Sequence, residues 1–124
     1  MDNERIFNDI DGLVLAAISC QSNIDVGSWI GFMDYYYRIG LSYDEFSASL
    51  SKLQKSGILI YERGKLQCTE RSKKLIADRN RMSVLKWIFK VQEEIVKVPF
   101  EESFEVLFNV SEEEYVKQLK KYHL

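Results

Sequence analysis

The chain has 124 residues, of which 46% are hydrophobic and 29% are charged, and its formal net charge is −2. A chain of this length buries roughly two-thirds of its surface around one core, and the composition is that of a globular protein, which excludes the disordered and fibrous classes. No apolar run approaches the roughly 18 residues of a membrane-spanning helix, and two cysteines without motif spacing exclude a disulfide framework and predict reduced thiols.

The ends and the middle of the chain differ in charge. Residues 1–41 carry two basic and six acidic groups, and residues 91–124 carry four basic and eight acidic groups, so each end has a net charge of −4. Residues 69–90 carry seven basic and two acidic groups, a net charge of +5. The basic segment favours contact with phosphates, whereas the acidic ends favour a basic partner.

The first half of the chain predicts three helices. The polar start MDNERIFNDI resembles neither a signal peptide nor a transit peptide, so we expect a cytoplasmic protein without a membrane partner. Apolar residues recur at helical spacing in residues 6–20, and a second helix is predicted at about 26–38. Ser42 and Glu45 form a capping box that starts the third helix, and Gly57 ends it. The buried stripe of the third helix is predicted to be Phe46, Leu50 and Leu53.

The second half predicts a hairpin and two further helices. The run ILIYERGKLQCT is rich in β-forming residues on both sides of ERG, and Gly64 can take the positive φ that a tight turn needs. Thr69 is a suitable N-cap for a fourth helix that extends towards Val98. After the single proline, the run SFEVLF suits a helix and a strand equally. Ser111 and Glu114 predict a second capping box, which starts the final helix. The inward positions of that helix are Tyr115, Leu119 and Tyr122.

The order helix, helix, helix, hairpin, helix is that of a winged helix-turn-helix. Within it, SYDEFSASLSKLQKSGILIYERGKLQCTERSKKLI at 42–76 resembles the pattern of MarR-like winged helices. The stretches GSWIGFMDYYYRIGLSYDEF and NVSEEEYVKQLKKY are more similar to a group of small, poorly characterised bacterial winged-helix proteins. We therefore predict one mostly α domain over 1–124 with a small β-hairpin, a winged helix-turn-helix with its core at about 6–98 and a C-terminal helical extension at 99–124. MarR-like proteins dimerise through their terminal helices, so the resemblance also implies a homodimer candidate.

The third helix would read DNA in such a scaffold, yet its outward face is poor in base-reading residues. A reading helix offers Arg, Lys, Asn or Gln to base edges, whereas this face begins with Asp44 and Glu45 and continues with Ala48. These charges also fit a solvated helix whose termini complement the helix dipole. The basic side chains of the fourth helix lie on two of its sides rather than on one phosphate track. If the chain binds DNA, the contact candidates are Ser51, Lys52, Lys55, Arg63, Lys65, Arg71 and Lys74.

The second helix carries more apolar surface than one buried stripe accounts for. Apolar side chains surround most of it in WIGFMDYYY, and aromatic patches without lysine are favoured at the centres of protein interfaces. The alternative is that the terminal helices cover these side chains. The run VLKWIFKVQEEIVKV poses the same choice, between a dimer interface and one thick core helix. If the chain binds a protein, the interface candidates are Trp29, Phe32, Asp34, Tyr35, Tyr36, Tyr37, Glu112 and Glu113.

Motifs that carry chemistry are scarce. His123 is the only histidine, and the sequence contains no Gly-rich phosphate loop, no catalytic triad and no Cys/His metal spacing. We therefore predict no enzyme, no catalytic residue, no cofactor and no metal. Two function classes remain: a non-catalytic protein-binding module, such as a bacterial immunity protein of a toxin–antitoxin type that neutralises a basic toxin domain, and a DNA-binding transcriptional regulator of MarR-like type. We favour the first, with nucleic acid as the less favoured partner, because negative charge can occlude the basic groove of a nuclease toxin.

Overall fold

The computed structural model describes residues 6–19, 24–37, 40–74, 83–102 and 104–122, and within these ranges the chain forms six helices and one two-stranded antiparallel hairpin. The fold of the described residues is mostly helical with a small β-hairpin, as the sequence predicts. In chain order the elements are α1 (Asp9–Ser19), α2 (Val26–Tyr37), α3 (Tyr43–Lys55), β1 (Leu59–Glu62), β2 (Lys65–Cys68), α4 (Glu70–Lys73), α5 (Val84–Ile95) and α6 (Glu112–Tyr122).

The centre of the core is the contact between α1 and α5. Gly12 allows this close approach, because a Cβ at that position would lie 2.5 Å from the Cα of Gln92. One face of α5 is buried against the core and consists of Trp87, Ile88, Val91 and Ile95. The other face exposes three apolar side chains, Leu85, Phe89 and Val96. Helix α5 therefore packs one face into the core and leaves apolar side chains exposed on its other face.

Helix α3 begins and ends at the predicted residues. The Ser42 Oγ accepts a hydrogen bond from the Glu45 backbone N–H at 3.1 Å, and the Glu45 carboxylate accepts one from the Ser42 N–H at 3.0 Å. Gly57, with a φ of +72°, follows the last turn. The predicted stripe of Phe46, Leu50 and Leu53 is fully buried. These local predictions are confirmed.

The hairpin turns at Arg63 and Gly64, whose φ angles are 54° and 76°. Two successive positive φ angles define the type I′ turn, whose twist matches that of the flanking strands. The prediction for Gly64 is confirmed, and Arg63 takes the positive φ at the other central position. On the far side of β2, Leu66 forms an isolated antiparallel bridge with Ile24.

The prediction of one continuous fourth helix is wrong. Thr69 caps a helix as expected, since its side chain accepts from the Ser72 N–H, but helix α4 covers only Glu70–Lys73. A new helix begins after Ser83, which has an extended backbone (φ −65°, ψ 162°) and accepts the Lys86 N–H at its side chain. A serine in this conformation acts as an N-cap, which interrupts a helix rather than continuing it. Residues 75–82, including Arg79 and Arg81, lie outside the described residues.

The run SFEVLF forms neither of the two elements considered for it. Its described residues, 104–108, are irregular, and residue 103 lies outside the described ranges. The Phe104 N–H donates to the Lys55 carbonyl at 3.0 Å, and the Leu107 N–H donates to the Gln54 side-chain oxygen at 2.9 Å. These two bonds fix the segment against the end of α3 and replace the hydrogen bonds of a helix or strand.

Helix α6 packs on α2 and reaches the core through Tyr115. The Ser111 Oγ accepts the Glu114 N–H at 3.2 Å, so this half of the predicted capping box is present. Tyr115 is buried and its hydroxyl donates to the Leu41 carbonyl at 2.7 Å. Leu119 is half-buried against the core, and the side chain of Tyr122 lies outside the described residues. The inward positions Tyr115 and Leu119 are confirmed.

Because of Tyr115, we expect the protein to lose stability at alkaline pH. Burial raises the pKa of Tyr115 to about 12, and the nearby Glu45 carboxylate adds to the rise. The unfolded tyrosine titrates near 10, so the unfolded state loses its proton first and the free energy of unfolding falls as the pH rises from about 10 to 12. We expect the loss to be of the order of 1–3 kcal/mol. Urea unfolding from pH 9 upward should show a shallower decline for Tyr115→Phe than for wild type, and equal slopes would contradict this assignment.

Candidate functional site

Lys52, predicted to point outward from α3 toward DNA, points inward instead. Its side chain lies between α3 and α1 and the residue is only 7% exposed. The ammonium lies 2.6 Å from a carboxylate oxygen of Asp11 and donates to the Ile6 carbonyl at 3.0 Å. The placement of Lys52 on the outward face is therefore corrected, because a fully buried Asp11 on α1 provides the opposite charge.

Asp11 is the centre of a buried polar network that sequence reasoning missed. Its two carboxylate oxygens also accept from the Ser49 hydroxyl at 2.7 Å and from the Asn8 backbone N–H at 2.8 Å. Buried charges in proteins are paired and hydrogen-bonded, as this one is. The only sequence signal was an aspartate followed by the almost entirely apolar run GLVLAAI. The network joins α3 to α1 and uses one of the basic groups that α3 could have offered to a ligand.

Two further basic candidates are paired with the segment that follows α5. Lys55 lies 3.3 Å from Glu102, with both side chains partly exposed. Arg71 donates to the Ser56 carbonyl at 2.8 Å and lies 3.0 Å from the Glu101 carboxylate. Exposed pairs of this kind contribute little to stability. They nevertheless place a carboxylate beside each cation, which weakens its attraction for phosphate.

The hairpin contributes the remaining basic candidates. Lys65 lies 3.9 Å from Asp25, the residue that precedes α2. The pKa of Asp25 is lowered, chiefly by the hydrogen bond that the Ser28 N–H donates to its carboxylate at 2.7 Å, with a smaller contribution from Lys65. Arg63 and Lys74 are exposed, and neither forms an ion pair with another described residue. Ser51 is half-buried on α3. The structure therefore leaves Arg63 and Lys74 as the basic candidates best placed to meet a phosphate.

The aromatic candidates of α2 divide between core and surface. Trp29 is 1% exposed and its ring packs against Phe46 with a centroid distance of 4.3 Å, so it belongs to the core and not to an interface. Phe32 and Asp34 are half-buried, whereas Tyr35 is 72% exposed. The side chains of Tyr36 and Tyr37 lie outside the described residues. Of the described aromatic candidates on this helix, Tyr35 is the most exposed.

The exposed acids of α6 lie in its first turn. Glu114 of this turn lines a pocket together with Asp25 and Gly27 at the start of α2. The first turn of α6 therefore lies near the start of α2. Glu112 and Glu113 are exposed in the same turn, and we name this pair the acidic end.

A groove that the sequence did not predict lies beside the hairpin. It runs between β1 and the irregular segment 104–107 and has a volume of about 370 Å³. Three exposed apolar side chains line it: Ile60 (41% exposed), Phe104 (59%) and Leu107 (57%). We name this feature the hairpin groove. Its two walls come from parts of the chain that are far apart in sequence, so neither wall alone indicated it.

Among the residues that the structure describes, no three His, Cys, Asp or Glu side chains are grouped as a metal ion requires. Within the same ranges, none of the helices combines the length and apolar character needed to cross a membrane. Comparison with protein-family models, curated proteins and solved structures finds no match for this chain.

Proposed function

We propose that the chain is a non-catalytic protein-binding module on a winged-helix scaffold, and that its partner is a basic protein. The observation that carries this proposal is the pairing of the α3 cations with carboxylates of the same chain. Lys52 forms a buried pair with Asp11, and Lys55 pairs with Glu102. The exposed face of α3 that remains begins with Asp44 and Glu45, and carboxylates repel the phosphates that surround the major groove.

The acidic end supports a basic partner. Glu112 and Glu113 are exposed in the first turn of α6, and Tyr35 is exposed on α2. Tyrosine is enriched at interface centres, and complementary charge speeds association and suppresses wrong partners. Within this class we propose an immunity protein that neutralises a toxin in the bacterial cytoplasm, because a nuclease toxin has a basic groove that an acidic surface can cover.

A DNA-binding regulator of the MarR-like type is the second candidate. The element order favours it, and so does the exposure of Arg63 at the hairpin tip and of Lys73, Lys74 and Lys86 farther along the chain. Wing tips and flanking basic residues make phosphate contacts, which position a protein on DNA but do not read sequence. This candidate therefore predicts a non-specific binding mode that depends on salt.

Binding to random duplex DNA separates the two candidates. We expect no binding of the purified protein by fluorescence anisotropy at micromolar concentrations, either at about 50 mM or at about 200 mM salt, because the α3 cations are paired with carboxylates and the exposed face of α3 begins with acids. A matched pair of variants makes the result specific: Arg63→Ala/Lys74→Ala removes two exposed cations that have no ion-pair partner among the described residues, and Lys55→Ala removes a paired one. Micromolar binding that collapses with salt and is lost only in the first variant would overturn the proposal in favour of the regulator.

A further inference from the structure

The outer edge of β1 offers backbone hydrogen-bonding groups. On β2, the N–H and carbonyl of Leu66 bond to Ile24 at 2.6 and 3.1 Å, so they point away from β1. Tyr61 lies opposite Leu66 in the ladder. Tyr61 and Leu66 therefore form a non-hydrogen-bonded pair, in which each residue turns its backbone N–H and carbonyl away from the other strand. The N–H and carbonyl of Tyr61 therefore face away from β2, as do those of Leu59, and neither residue bonds through them to another described residue.

The hairpin groove lies along this edge. Leu59, Ile60 and Tyr61 line it from the strand, and Phe104 and Leu107 line it from the opposite wall. A strand edge with outward N–H and carbonyl groups is a template for pairing with another chain. The apolar wall next to it provides contacts for the side chains of such a chain. A volume of about 370 Å³ is at the lower end of the range of ligand sites and suits a short segment, not a folded domain.

The wall opposite β1 is held in place by the rest of the fold. The Phe104 and Leu107 N–H groups donate to Lys55 and Gln54 at the end of α3. The Phe104 ring lies over Gly57, where a Cβ would come within 2.5 Å of it. Because the walls of the groove are already ordered, binding costs little conformational entropy apart from that of the ligand itself.

We propose that the hairpin groove binds an extended, basic segment of the partner protein, which adds to β1 as a further strand. This inference rests on the proposed function and names the part of the partner that is recognised. The charge of the lining supports a basic segment: Glu70 pairs with Lys73 and Arg71 pairs with Glu101. The exposed Glu105, which also lines the groove, forms no ion pair with another described residue. In strand addition, backbone hydrogen bonds provide the affinity and alternate side chains provide the specificity. We therefore expect the segment to alternate apolar and basic residues, with the apolar side chains beside Ile60.

The test uses the labelled peptide Lys-Val-Lys-Val-Lys-Val-Lys and fluorescence anisotropy on the full chain. We expect binding that weakens about tenfold or more in Ile60→Ser and in Leu107→Ser, whose side chains are both exposed, so the fold tolerates the changes. Phe89→Ser, on the exposed face of α5, is the matched control and should bind like wild type. Two forms of the peptide, N-methylated on alternate residues, test the pairing: one should lose binding and the other keep it, because alternate N–H groups of a strand share one edge.

Each other outcome overturns the inference. No binding at about 1 mM peptide, or equal tolerance of both N-methylated forms, excludes strand addition. Binding that survives Leu107→Ser but is lost in Glu112→Lys/Glu113→Lys assigns the peptide to the acidic end. Self-association of the protein that Ile60→Ser abolishes assigns the groove to a second copy of the chain. In each of these four cases the proposed function still stands if duplex DNA is not bound, whereas DNA binding overturns the function itself.

Discussion

Replacing Lys52 with methionine is expected to lower the free energy of unfolding by about 3–5 kcal/mol. Methionine keeps the apolar length of the side chain but removes the charge. The Asp11 carboxylate, 0% exposed, would then remain buried without the cation that lies 2.6 Å away in the wild type. An uncompensated buried charge costs far more than an exposed pair contributes. Urea unfolding followed by circular dichroism measures the change.

Lys55→Met is the matched control, because Lys55 lies on the same helix and forms a half-exposed pair with Glu102. We expect this change to cost no more than about 1 kcal/mol. Combining Lys52→Met with Asp11→Asn should recover much of the loss, since the amide is neutral, its oxygen still accepts from the Asn8 N–H and its NH2 group can donate to the Ser49 hydroxyl oxygen. Equal effects of Lys52→Met and Lys55→Met would show that the Lys52 ammonium is solvated, and would remove the observation on which the protein-binding proposal depends.

Features that depend on neighbouring residues were predictable from the sequence. The capping box of Ser42 and Glu45, the turn glycine Gly64 and the cap Thr69 each rely on groups a few positions apart. The stripe of Phe46, Leu50 and Leu53 follows from the helical period alone. These local signals were sufficient for the start and end of α3 and for the hairpin.

The inward direction of Lys52 and the break at Ser83 were not predictable in this way. A lysine on an amphipathic helix is assigned to solvent unless a buried opposite charge is known, and the network that holds Lys52 joins residues such as Ser49 and Asp11, which are 38 positions apart. The serine at 83 interrupts a run that has good helix formers on both sides, so propensity favoured continuity. Tertiary contacts decided the direction of Lys52, whereas at Ser83 the local N-cap prevailed over the helix propensity of the flanking residues.

The candidate surfaces show the same division. The exposed acids Glu112 and Glu113 follow from the capping pattern of α6, whereas the burial of Trp29 depends on the ring of Phe46 from another helix. The hairpin groove depends on contacts such as that between Leu107 and Gln54, 53 positions apart. Single-sequence patterns carry no information on such distant pairs.

Replacing Phe46 with alanine is expected to lower the free energy of unfolding by about 3–5 kcal/mol. The ring of Phe46 is fully buried, stacks on Tyr115 with a centroid distance of 5.1 Å and contacts Trp29 at 4.3 Å and Phe108 at 5.7 Å. Its removal leaves a cavity bordered by α2, α6 and the segment that forms the groove wall. Urea unfolding, followed both by tryptophan fluorescence and by far-ultraviolet circular dichroism, measures the loss.

Phe108→Ala is the matched control, because Phe108 is only half-buried and its ring makes edge contacts with Phe46 and Tyr61. We expect it to cost about 1–2 kcal/mol, at the low end of the losses for removing a buried side chain. A Phe46→Ala loss no greater than that of Phe108→Ala would contradict the central position of Phe46. If both probes report one transition in the wild type, then α6 and the groove wall unfold together with α3. The groove wall on which peptide binding depends is then part of the cooperative core. If a groove variant binds the peptide weakly but unfolds in the same transition as wild type, the substitution has removed a contact and has not unfolded the protein.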